Sequence, residues 1–346
     1  MHLMIKKLLL HCGKLGCSDV HISAKNNVSM RIHGEIKRVK GLDSLSSEQI
    51  YHIIKSITSK EQWANYLENL EIDFSIQIND DLRYRINAFH TINGPAAVFR
   101  HIPLEVKSLS ELHVPQIVQK LAEYQNGLVL ICGPTGSGKS TTISSLINHI
   151  NETKKKHIIT IEDPVEFIHK NKKSIINQRE VGSNTKSFPL ALRNVLREDP
   201  DVILVGEMRD LETIQLTITA AETGHLVFAT LHTNSSVHTI NRIIDVFPAR
   251  DKASVRSMLS SSLKAVLSQH LVVGKDGLRY PSTELMFVNN SIRNLIREDN
   301  VHQINSIIEI SKKDNMYLMK DSINALLNKG IISEDTAQEG YLYCGG

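Results

Sequence analysis

The chain has 346 residues, 41% of them hydrophobic and 22% charged, with a formal net charge of +3. That length accommodates two or three domains, each with a core of its own, and the near-neutral charge gives no warrant for a nucleic-acid partner. Cys12, Cys17, Cys132 and Cys344 form no C-x-x-C pair and the 16 histidines show no paired ligand spacing, so reduced thiols in a cytoplasmic compartment are the simplest reading.

No stretch reaches the roughly 18 apolar residues of a membrane span. Near the start, Leu8-Leu9-Leu10 behind Lys6-Lys7 is too short an apolar run for a secretory signal. Ile5, Leu8 and Leu9 share a helical face, which predicts a short amphipathic helix packed on its own domain. Strands are predicted over Ser18–Ser23, over Val28–His33, which alternates with period two, and over Glu35–Val39 after the punctuating Gly34. Ser46–Leu70 reads as helical, with Ser46, Ser47 and Glu48 as its N-terminal cap. Asp73–Ile78 and Leu82–Phe89 read as strands, and the second joins Ala96–Ile102 across Thr91-Ile92-Asn93-Gly94, where Asn-Gly is a strong hairpin signal. These elements make a small α+β domain over 1–103 without a catalytic motif of its own. Arg83, Arg85 and Arg100 lie on its hairpin, and an arginine on a strand ordinarily faces solvent.

Pro103–Pro115 reads as a linker, assigned to 104–115. From Gln116 the pattern changes to short, continuous apolar runs at 128–132, 157–161, 202–206 and 226–231, separated by helices. Strands of that kind are buried on both faces, so an α/β domain with a parallel sheet is predicted over 116–288. The Lys154-Lys155-Lys156 stretch reads as a solvated loop. Beyond Phe247-Pro248 the periodicity is mostly helical, ending in Lys312–Gly330 and Ser333–Ala337, which gives a C-terminal helical region over 289–346.

The strongest motif is Gly133-Pro134-Thr135-Gly136-Ser137-Gly138-Lys139-Ser140, followed by Thr141. It fits G-x-x-x-x-G-K-[ST], whose glycines let backbone N–H groups turn inward on phosphate oxygens. Lys139 reaches the β- and γ-phosphates in such a loop, and the Ser140 hydroxyl ligates Mg²⁺. A Gly-rich turn without a ligand is the alternative. The flanks oppose it, since the run Leu128–Cys132 precedes the loop as a strand and Thr141–Ile150 follows as a helix facing the anion. ATP and Mg²⁺ are the expected cofactors.

Glu207 ends the apolar run Val202–Gly206, where it either helps hold Mg²⁺ or caps the strand in solvent. Thr160–Glu166 places Glu162, Asp163 and Glu166 just past another strand, at the edge where open parallel sheets bind ligands. One of these acids should orient the attacking water, and spacing alone does not choose among them. His225 and His232 bracket the fourth run, seven residues apart and so on opposite faces of a strand, which makes them poor co-ligands of one metal. His232 is either structural or a γ-phosphate contact.

Assembled, these blocks resemble the secretion ATPase superfamily of type II and type IV pilus systems, and most closely its twitching-motility retraction branch. The P-loop, Thr160–Glu166, Leu204–Glu207 and Gly224–Thr233 occur in family order, and Ser291–Glu298 is similar to that branch's AIRNLIRE segment with Ser for Ala. The resemblance implies a PAS-like N-terminal domain, a RecA-like ATPase domain and a homohexameric ring. It also implies Glu166 as the catalytic acid, Arg85 and Arg100 as arginines acting on another subunit, and His232 as the nearer histidine to nucleotide. The implied work is ATP-driven retraction of a type IV pilus, by a cytoplasmic ring peripheral to the inner membrane that turns a platform protein there. An assembly or secretion ATPase is the rival within the superfamily. It usually carries a long N-terminal extension and a four-cysteine zinc insertion, and this chain shows neither. A catalytically weak accessory to the retraction motor is opposed by the intact P-loop, Glu166 and Glu207.

Overall fold

A computed structural model describes residues 3–32, 35–79, 82–102, 105–342 and 344. His33, Gly34, Pro103 and the final Gly345-Gly346, which figure in the readings above, lie outside the described residues. The chain forms two compact units, Met1–Glu105 with Glu166–Ile168, and Val106–Val165 with His169–Gly346.

The first unit opens with α1 (Leu3–Lys14), whose Ile5, Leu8, Leu9 and Cys12 recur at helical spacing and are all buried. Next come β1 (Asp19–Ser23), β2 (Ser29–Ile32), β3 (Glu35–Arg38), α2 (Ser47–Ile57) and α3 (Lys60–Asn69). The long β4 (Glu71–Asn79), β5 (Leu82–Thr91) and β6 (Gly94–Ile102) complete an antiparallel sheet of order β3-β2-β1-β6-β5-β4. The single helix expected over Ser46–Leu70 is two helices, because extended Thr58 ends the first and Ser59 starts a second cap. Ser46 with Gln49 and Ser59 with Gln62 each form a reciprocal capping box, so each start satisfies its own N–H groups. The Tyr84 hydroxyl donates to the Leu9 carbonyl at 2.8 Å, tying β5 to α1 within the buried cluster of Ile5, Ile22, Ile50, Ile54 and Phe99.

The second unit has a turn of 3₁₀ helix at Gln116–Glu123, then β7 (Gly127–Cys132), α4 (Lys139–Thr153), β8 (His157–Glu162), β9 (Ile175–Glu180) and α5 (Phe188–Val195). β10 (Val202–Val205), α6 (Leu211–Glu222), β11 (Leu226–Leu231), α7 (Ser236–Asp245) and α8 (Ala249–Ser262) follow. The chain closes with β12 (Leu263–Val273), β13 (Arg279–Phe287), α9 (Asn290–Arg297), α10 (Ile304–Ile310), α11 (Met319–Asn328) and α12 (Glu334–Tyr341). The sheet order is β13-β12-β7-β11-β10-β8-β9, parallel throughout except for β13. Its apolar runs divide by parity: Leu128, Leu130 and Cys132 enter one core cluster, while Val129 and Ile131 enter the cluster that holds Ile143, Leu146 and Ile150 of α4. Helices cover both faces of the sheet, as two-sided burial requires.

Two expectations are corrected here. Beyond Phe247-Pro248 the helices α8 to α12 are joined by an unexpected element, since β12 and β13 form a long hairpin and β12 adds to the P-loop strand. Its helix-like reading came from a buried polar centre, Ser268-Gln269-His270, which interrupts the apolar run that marks a strand. Nor is Lys154–Lys156 simply solvated. The Lys154 ammonium donates to the Ala122 carbonyl and Lys156 pairs with Asp201 at 2.8 Å, leaving Lys155 exposed.

Leu9 is 0% exposed, so Leu9→Ala should cost roughly 2–5 kcal/mol in urea unfolding of the protein. A loss below about 1 kcal/mol would show that α1 contributes little to the unit's core.

Candidate active site

The parallel strands β7, β11, β10 and β8 all end on one edge, and their register keeps those ends nearly level. Leu231 stands opposite Cys132, and Val205 opposite both Ala229 and Ile161. The residues that follow those ends, Gly133, His232 and Glu207, with Glu162 closing β8, are therefore set side by side. At about 4.8 Å per strand, the β10 end lies roughly 10 Å from the β7 end.

At Gly133 the φ is +149° and a Cβ would fall 2.2 Å from the Gln269 carbonyl oxygen and 2.6 Å from Ser137 Oγ, so only glycine fits. Gly138 is the N-cap of α4 in the left-handed region at φ +84°, and no side chain caps the helix. The N–H groups of the first turn therefore keep their donor capacity for an anion. Ser137 Oγ is buried and without a partner. The Lys139 ammonium donates to the carbonyls of Gly133 at 2.7 Å and Pro134 at 2.9 Å, which holds it against the loop it serves. Thr135 and Gly136 are exposed at the tip, and Ser140 and Thr141 are half-buried. An orphaned hydroxyl and an uncapped helix start fit a bound phosphate chain.

A residue absent from the sequence reading supports this loop. Gln269 of β12 accepts from Thr142 Oγ1 at 2.8 Å and donates through Nε2 to the Ser137 carbonyl at 2.8 Å. Nothing in the local pattern marks it, because it sits in the stretch expected to be helical. Beside the loop, Gly138, Thr141, Gln269, Leu271 and Pro281 line a cavity of about 320 Å³ with His113 and Val114.

Glu207 is the centre of the acidic side. It pairs with Arg209 at 2.7 Å and with His232 Nε2 at 3.0 Å. Burial pushes its carboxyl up, but the Arg209 hydrogen bond and the charges of His232 and Arg209 outweigh burial and hold it below the ordinary range. His225 lies at the opposite end of β11, its Nδ1 3.0 Å from the Ala220 carbonyl where α6 ends, away from the nucleotide edge. Of the three acids left open, Glu162 is buried and its Oε1 accepts from Thr160 at 2.7 Å and Gln178 at 3.2 Å. Asp163 and Glu166 are exposed, and Glu166 clusters with the first unit.

Within the first unit, Arg85 and Arg100 are directly opposite cross-strand partners. Like charges so placed repel, and acids offset this. Arg85 reaches Asp73 with both Nε and Nη2, at 3.0 and 2.6 Å, and Arg100 Nε meets Asp19 at 2.9 Å. Arg83, one pleat further on, donates to Ser75. Asp19 and Asp73 had no signal in the sequence, since a single acid near the start of a predicted strand is unremarkable there.

A strand, a glycine-shaped loop and an uncapped helix at the carboxyl edge of a parallel sheet define a P-loop nucleotide-binding protein. Residues 1–306 match the family described as type II/IV secretion system protein, and the chain belongs to that family. It is 52% identical over 310 residues to a twitching motility protein of Neisseria gonorrhoeae, covering 89% of this chain and 83% of that protein. It is 48% identical over 335 residues to the "Type IV pilus retractation ATPase PilT" of Pseudomonas aeruginosa, covering 97% of both. The solved structure of the pilus retraction motor PilT with bound ADP matches with a TM-score of 0.91 at 43% identity, covering 98% of this chain and 97% of that one.

The lowered carboxyl of Glu207 gives a sign that can be checked. A depressed pKa contributes stability above the ordinary carboxylate range, and that contribution is lost as pH falls through the lowered value. Arg209→Ala should thus destabilise at neutral pH by on the order of 1 kcal/mol or less, since Arg209 is largely exposed, and the difference should vanish in acid. Urea unfolding of both proteins across the acid range reads it, and a difference independent of pH would contradict the assignment.

Proposed function

We propose that this chain is a motor ATPase that hydrolyses ATP to drive retraction of a type IV pilus. The observation that carries the reading is the loop, where a buried, unpartnered Ser137 hydroxyl lies beside the uncapped start of α4. Two relatives spanning most of the chain, one described as a twitching motility protein and the other as a pilus retraction ATPase, support its use in retraction. The ADP in the solved relative supports ATP as the nucleotide.

In this reading the N–H groups of Gly136 to Ser140 cradle the phosphates, and Lys139 reaches the β- and γ-phosphates from its place against the loop. The cavity beside Gly138 and Thr141 takes the nucleoside. Ser140 and Glu207 offer the hydroxyl and carboxylate oxygens that suit Mg²⁺, and a bound ion there would neutralise charge on the transferred phosphate. Arg209 and His232 keep Glu207 ionised and aimed. Glu166 supplies the exposed carboxylate that orients water. Glu162 is already committed to Thr160 and Gln178, which favours Glu166. Arg85 and Arg100, held by Asp73 and Asp19, supply transition-state charge to a site in another copy of the chain. A homohexamer would bring them there.

No helix among the described residues is long and apolar enough to cross a membrane. The likeness to a pilus retraction ATPase supports a ring that works from the cytoplasmic face, peripheral to the inner membrane, on a platform protein of the pilus.

The test is ATP turnover. Lys139→Ala should abolish it, and Glu166→Gln should keep ATP binding while slowing hydrolysis by about 10²–10⁴-fold. Wild-type turnover in Lys139→Ala would remove the P-loop from the reaction, and normal hydrolysis in Glu166→Gln would pass the role to Glu162 or Asp163.

A further inference from the structure

We propose that Gln269 is a positioning residue that holds the P-loop in its phosphate-cradling shape from the neighbouring strand. The inference rests on the P-loop being the ATP site. Gln269 spans the loop nearly end to end. Its main-chain oxygen lies 2.2 Å from the Cβ that any other residue would carry at Gly133, and its Nε2 lies 2.8 Å from the corresponding point at Gly138. Between those two approaches, Nε2 donates to the Ser137 carbonyl, and Oε1 accepts from Thr142 in the first turns of α4, both at 2.8 Å.

The side chain is 2% exposed, so neither Ser137 O nor the Thr142 hydroxyl would find water in its place. A loop that aims its own N–H groups at a ligand has few side-chain contacts of its own to fix it. Here one amide ties the loop at Ser137 to the helix behind it, and strand pairing with β7 fixes that amide, with Ser268 registered on Cys132. Since both of its polar atoms are engaged with protein, Gln269 acts through the loop and not by a hydrogen bond to the nucleotide.

Without this tie the loop must be ordered when nucleotide binds. That cost falls equally on the ground and transition states, so it raises KM and leaves kcat nearly unchanged. In full-length assembled protein, Gln269→Leu, which leaves the Ser137 carbonyl and the Thr142 hydroxyl unmatched, should raise the KM for ATP on the order of tenfold. Turnover at saturating ATP should stay within about twofold. A wild-type KM, or a lowered melting temperature with KM unchanged, would overturn the proposal and leave Gln269 as ordinary core. If Gln269→Leu fails to fold, Thr142→Val removes the same link from the other side without altering β12. A raised KM there supports the tie, and an unchanged one refutes it. Lys139→Ala run in parallel separates the two readings. An active Lys139→Ala defeats the ATP site itself, whereas a dead one beside a wild-type Gln269→Leu defeats only the positioning role.

Discussion

A phosphate-binding loop has to leave its backbone N–H groups unspent, and that requirement removes the usual means of holding a loop in place. Here the shape is imposed by close approach. The Gly133 backbone runs so near the Gln269 carbonyl that a single added carbon would collide with it. This approach exists because β12 pairs in parallel with β7 on the side away from β11. The order of strands is thus a condition for the chemistry. With β7 clamped between two parallel neighbours, the carboxyl ends of β11, β10 and β8 bring His232, Glu207 and Glu162 to the same edge.

The charges at that edge are arranged in the same economical way. Glu207 is kept ionised by Arg209 and His232. In the first unit, Asp19 and Asp73 perform the converse service for Arg100 and Arg85, allowing two arginines to stand directly opposite on adjacent strands. Glu207, Arg85 and Arg100 thus each have a partner that fixes their direction, which is what electrostatic preorganisation demands. The hairpin β12–β13 leads straight into α9, the segment that resembles the retraction branch's signature, so the strand that steadies the P-loop is joined to that helix through β13.

Much of this was legible in the sequence. Buried parallel strands announce themselves as unbroken apolar runs, and β7, β8, β10 and β11 were each placed to within a residue. The P-loop needed only its spacing and flanks. What escaped had physical reasons. β12 carries three buried polar residues at its centre, of which Gln269 serves the loop and Ser268 donates to the Asn234 carbonyl, and a strand shaped by such duties loses the apolar signature. β9 reads Ile-Ile-Asn-Gln-Arg-Glu and sits at the sheet's edge, where polar residues are tolerated. The break at Thr58-Ser59 was readable in principle, since Ser-x-x-Gln occurs at both helix starts. Choosing among Glu162, Asp163 and Glu166 was beyond spacing, because the choice depends on which carboxylates the fold has already engaged.

The central claim is that the energy released at this site pulls pilin subunits out of a filament, and counting surface pili tests it most directly. Deleting the gene from its own organism should leave cells with more pili than the parent and without twitching motility, both restored by the intact chain. Cells bare of pili after deletion would contradict retraction and identify an assembly motor instead.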